Sequence, residues 1–70
     1  MRIRYDPAVD ALYIRFKEGV IDDSDEVATG VILDTDADGE PMGLEILDAS
    51  RVLGGKKVNV ELSITEGIRD

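Results

Sequence analysis

The sequence predicts a mainly β fold: an antiparallel meander of four to five strands with one short helical turn, in a single domain spanning residues 1–70. Three observations carry this. Apolar residues recur with period two in several short runs, Asp, Gly and Pro cluster between those runs, and one stretch is rich in β-branched residues. A brief helical signal near Ser50 leaves an α+β assignment open.

"MRIRY" alternates Ile3 and Tyr5 with Arg2 and Arg4, and Leu12, Ile14 and Phe16 alternate with Tyr13, Arg15 and Lys17. Between them, Asp6 can hydrogen-bond the backbone that follows it and Pro7 presets φ for a turn, so residues 2–17 read as a hairpin. Glu26 to Thr35, "EVATGVILDT", is expected to be the third strand, because Gly30 would weaken a helix by about 1 kcal/mol relative to Ala. "PMGLEILD" follows an acidic turn and is expected to return antiparallel as the fourth. Ser50 is placed to cap one helical turn through "RVLGG", which Gly54 and Gly55 would end. Lys57 to Thr65 alternates again, with Val58, Val60, Leu62 and Ile64 on one side, and completes the expected set.

Composition narrows the function classes. The chain has no cysteine and no histidine, which removes disulfides, thiolate metal sites and the commonest proton shuttle. General acid–base work would fall to carboxylates, Tyr or Lys. Asp6, Asp10, Asp48 and Ser50 read better as turn formers and caps, and "GGKK" lacks the Ser or Thr that a phosphate-binding loop needs after its lysine. An enzyme is not expected, nor a cofactor. No apolar run approaches the roughly 20 residues that cross a bilayer, and "MRIRYDPAVD" has no signal-peptide core, so a cytoplasmic protein without membrane attachment is expected.

The net charge of −8 is unevenly placed. Residues 1–17 carry four basic and two acidic side chains, residues 18–48 eleven acidic and none basic, and residues 49–70 four basic and three acidic. Such a surface repels phosphate backbones, so nucleic acid is not an expected partner. It suits either solubility or the docking of a basic protein.

The acidic turn raises a sharper question, because Asp34, Asp36, Asp38, Gly39 and Glu45 satisfy every specified position of the calcium-loop pattern. That pattern works between two helices that aim its oxygens inward. Here both flanks are strand-like, and Pro41 lacks the N–H that the loop's eighth position uses. A β-turn accounts for the same letters. The four carboxylates of Asp34, Asp36, Asp38 and Glu45 remain the residues of an alternative reading as a cation or small-ligand site.

The third and fourth strands carry apolar residues on both faces, which would leave Ile32, Leu47 and Tyr13 exposed on the second face of a single sheet. Either the C-terminal segment or a partner chain is needed there, and a homodimer is expected, since short chains commonly complete their core that way. Arg2, Arg4, Arg15 and Lys17 stand together beside Tyr13 if the first two strands pair. They serve as a solvated edge, or as a docking row with Tyr13, Arg4, Arg15, Ile32 and Leu47 as its interaction residues.

"IRYDPAVDALYIRF" followed by "GVILDTDADGEPMGLEILDAS" resembles the small prokaryotic family filed as domain of unknown function 2283. The matching positions are Tyr5, Asp6, Asp10, Leu12, Tyr13 and Ile14, then Gly30, Leu33, Asp34, Asp36 and Gly39, then Gly43, Glu45, Leu47, Asp48, Ala49 and Ser50. Leu44 stands where isoleucine is usual. The resemblance covers residues 3–50 and implies a compact β-rich domain with no assigned activity or catalytic residues. The expectation is therefore a small protein-interaction module, one form of it an antitoxin-like companion of a small basic protein.

Overall fold

The structure is a computed structural model and describes residues 1–55 and 59–65. Among the described residues five strands, β1 (Arg2–Asp6), β2 (Ala11–Arg15), β3 (Asp23–Ala28), β4 (Val31–Thr35) and β5 (Pro41–Ile46), precede one short helix, α1 (Ala49–Val52). They form a single antiparallel sheet of order β1-β2-β5-β4-β3, so the fold is mainly β, as the period-two pattern predicts. β5 is the centre, paired with β2 on one side and β4 on the other.

The order departs from a sequential meander for a local reason. Glu26 to Thr35 is a hairpin and not one strand: Gly30, at φ 77°, turns the chain between β3 and β4. A side chain at Gly30 would also stand 3.2 Å from the Leu47 carbonyl, which marks a close backbone approach as well as a turn. The acidic run Asp23–Glu26 thus becomes an edge strand, where charged side chains discourage unwanted pairing.

Cross-strand partners share a face, so the register defines two surfaces. One carries Tyr5, Leu12, Ile46 and Val31 in one row and Ile3, Ile14, Leu44, Leu33 and Asp25 in the next. The opposite face carries Arg4, Tyr13, Glu45, Ile32 and Glu26, and then Arg2, Arg15, Gly43, Asp34 and Ser24. We refer to these as the apolar and polar faces.

α1 packs on one end of the apolar face, where Leu12, Ile46 and Ala49 form the buried cluster with Ile14 and Val52 against it. At the other end Met42 is buried beneath the connection from β2 to β3; Gly19 crosses it so closely that a side chain there would stand 2.9 Å from Met42 Cε. Between these ends Ile14, Leu33 and Leu44 are only half-buried, although they lie on central strands. The body is 19 Å thin across its shortest axis, close to one sheet with partial cover.

The expected strand from Lys57 to Thr65 is not present over the described part. Residues 59–65 join no strand, and Val60, Leu62 and Ile64 are exposed. An alternating pattern needs a sheet edge to pair with, and none is engaged; Lys57 and Val58 lie outside the described residues. Among the described residues no helix is long and apolar enough to cross a membrane.

Candidate functional site

Two hydrogen-bond networks absorb most of the polar side chains at the sheet. The first is built on Asp10, which ends the β1–β2 turn with a left-handed backbone at φ 54°. Its carboxylate accepts from the Tyr5 hydroxyl at 2.7 Å, the Ser50 hydroxyl at 2.6 Å and the Ser50 backbone N–H at 3.1 Å. Its carbonyl accepts from the Ala49 N–H at 2.8 Å. Asp10 thereby satisfies helix-start donors that would otherwise lack partners, and it ties the first hairpin to α1. Ser50 is not itself the cap: the cap position is Asp48, at φ 54°, and it makes no side-chain cap hydrogen bond. With Asp10 already supplying that acceptor, the Ser50 hydroxyl acts as a donor.

The electrostatics follow from these contacts. Hydrogen bonds from the Ser50 hydroxyl, then from Tyr5, and a weaker one from the Ser50 backbone hold the Asp10 carboxyl below its ordinary value, while partial burial pushes the other way. Tyr5 is raised, chiefly by donating to Asp10. A depressed carboxyl in the folded state means that the unfolded chain binds more protons on acidification. The stability carried by Asp10 is therefore complete above the ordinary carboxylate pKa of about 4 and is lost as pH falls through the depressed folded value. A raised Tyr5 has the opposite sign: its contribution is complete below about pH 10 and is lost as pH rises through the raised value. Asp10→Asn keeps a residue tolerant of left-handed backbone, so it isolates the carboxylate. Thermal melts against pH are expected to show a lower plateau and a shallower acid limb for this variant; an acid limb identical to that of the native chain would contradict the assignment.

The second network lies on the polar face. Asp34 is buried and accepts from Tyr13 at 3.0 Å and from Ser24 at 2.6 Å. Desolvation first, and the hydrogen bond to Asp34 second, raise the Tyr13 hydroxyl, with Arg15 opposing. Tyr13 reaches Asp34 by lying across Gly43, where a Cβ would stand 2.8 Å from the hydroxyl. An aromatic ring laid over a strand glycine in this way is a recognised means of filling the space a side chain would take.

The residues expected to bind partners are therefore separated by role. Tyr13, expected to be exposed, is half-buried and engaged with Asp34. Arg15 donates to the carbonyls of Lys17 and Gly19, which fixes the chain leaving β2, and Lys17 lies beyond the strand. Ile32 is half-buried, and Leu47, just past the end of β5, is exposed. Arg4 keeps its place beside Tyr13. Arg4, Tyr13 and Glu45 line an open depression of about 510 Å³, bounded by Pro7 and Val9 of the first turn.

The calcium-pattern residues diverge. Asp36 turns its carboxylate onto the N–H groups of Asp38 and Glu40, both at 2.9 Å, and Gly39 supplies φ 82°. Asp34 faces Tyr13 and Ser24, while Glu45 stands two strand positions along from Gly43 on β5. Among the described residues no group of three or more such side chains is arranged to hold a metal ion.

Sequence reasoning missed the clamp formed by Asp10 with Ser50, forty positions apart. The available signal was the "D-A-S" closure itself, whose three residues are the left-handed entry, the fully buried Ala49 and the Asp10 partner. A family profile described as a protein of unknown function (DUF2283) matches residues 2–50. No curated protein and no solved structure matches the chain.

Proposed function

The chain belongs to the family of proteins of unknown function DUF2283, and from that premise we propose that it is a non-enzymatic, cytoplasmic protein-interaction module that pairs with a second copy of itself. Its acidic edge, β3, suits a basic protein as a further partner, and an antitoxin-like companion is one specific form of that role.

One observation carries the reading. Ile14, Leu33 and Leu44 form an apolar row across three central strands that is only half-buried between α1 at one end and the Gly19 crossing at the other, and on β1 the same face exposes Ile3 and Tyr5. Sheets bury one face against another layer, and a contiguous apolar surface left open on a small chain is characteristic of an interface. The signature residues supply no competing chemistry, since Tyr5, Asp10, Tyr13, Asp34, Asp36 and Ser50 each hold the fold together. Cation binding at the acidic turn draws less support, because the Asp36 carboxylate already accepts two backbone N–H groups.

Sedimentation equilibrium of the full chain is expected to show a monomer–dimer equilibrium in the micromolar range, with Leu33→Glu shifted to monomer. A native chain that sediments only as monomer throughout that range would overturn the self-association.

A further inference from the structure

We propose that residues 59–65 of one copy add as a sixth strand to the β1 edge of a second copy, so that the dimer is a reciprocal strand exchange. This rests on the reading that the chain pairs with itself and adds a sheet-edge contact to the apolar-face contact.

The donor has the pattern of a strand without the pairing. Val60, Leu62 and Ile64 alternate with Asn59, Glu61, Ser63 and Thr65, and the three apolar side chains are 59%, 78% and 91% exposed. In water an extended apolar edge of this kind is a template for pairing. Among the described residues it is joined to no strand.

Two edges could receive it. β3 presents Asp25 on the apolar face and Ser24 and Glu26 on the polar face, and its one exposed large apolar residue, Val27, sits where the register shifts. Pairing there would set Val60, Leu62 and Ile64 beside a carboxylate and Glu61 beside Glu26, and like charges on neighbouring strands repel. β1 presents the reverse. Its Ile3 and Tyr5 lie on the apolar face, 45% and 38% exposed, and Arg2 and Arg4 lie on the polar face. A strand added to β1 with its apolar side toward Ile3 and Tyr5 extends the Ile3–Ile14–Leu44–Leu33 row and sets Glu61 among two arginines. Both the apolar and the charge pattern select β1.

A stable pair buries about 800 Å² on each partner. Reciprocal donation covers both the segment and the open β1 edge.

Full-length variants decide it. Leu62 and Ile64 are largely solvent-exposed in the protomer, so Leu62→Asp with Ile64→Asp is expected to leave the monomer's circular dichroism and melting unchanged. The same pair is expected to weaken dimerisation by more than about tenfold, as loss of two buried aliphatic side chains implies. Glu61→Arg and Arg4→Glu are each expected to weaken it, and their combination to restore it. If the apolar pair leaves the dimer constant unchanged in a protein that still dimerises, strand exchange is wrong while pairing through the apolar face stands. Amide-exchange protection of residues 59–65 in a chain that sediments only as monomer would place the segment on its own sheet and overturn both readings.

Discussion

Gly43→Ala is expected to lower the unfolding free energy by about 1–3 kcal/mol, the range for forcing extra carbon into a packed site. The added Cβ would stand 2.8 Å from the Tyr13 hydroxyl and 2.9 Å from the Ile14 carbonyl oxygen. The hydroxyl can swing away, but only by leaving the buried Asp34 with Ser24 as its one remaining partner. The carbonyl is backbone of the paired strand and cannot move without disturbing the β2–β5 ladder. A urea titration followed by circular dichroism measures the loss. A midpoint equal to that of the native chain would mean that the sheet centre is looser than the Tyr13–Gly43 contact implies.

Leu12→Ala is expected to have the larger consequence, about 2–5 kcal/mol. Leu12 is 4% exposed and forms with Ile46 and Ala49 of α1 a cluster of only three buried residues among those described. A core of this size in a chain this short supplies roughly 3–5 kcal/mol in total, so the variant is expected to be largely unfolded at 25 °C. A cooperative melt near the native temperature would show that the stability resides elsewhere.

How much of this was legible in the sequence depended on the range of the interaction. Alternation in "MRIRY" and "ALYIR" and the turn chemistry of Asp6 and Asp36 are local, and they identified β1, β2 and the acidic turn correctly. Gly30 reads as a strand residue in the sequence because its turn is set by φ and by the approach of Leu47, and neither is written in its neighbours. The acidic run before it carries no strand signal of its own, since Asp and Ser are poor strand formers by propensity. It is held as β3 by its pairing with β4, a tertiary effect that a propensity scale omits. Residues 59–65 differ in the opposite sense: the pattern of a strand is present, but among the described residues no edge takes it up.

At the candidate site the division is similar. The complete calcium pattern was legible as letters, while the fate of each carboxylate depended on contacts over distance: Asp34 with Tyr13, 21 positions away, and Asp10 with Ser50, 40 away. The Asp10 carboxylate, which also accepts from Tyr5, joins the Tyr5–Asp10 opening to the "D-A-S" closure. The opening supplies the acceptor and the closure supplies the donors.

In the proposed dimer the signature residues build a scaffold whose half-covered apolar face and β1 edge join a second copy. Amide NMR spectra of the full chain, recorded on dilution from millimolar to low micromolar, test it most directly. Concentration-dependent shifts are expected at Ile3, Tyr5, Ile14, Leu33, Leu44 and across residues 59–65, with the Asp36–Gly39 turn unmoved. Spectra that superimpose at every concentration, or shifts confined to that turn, would contradict it.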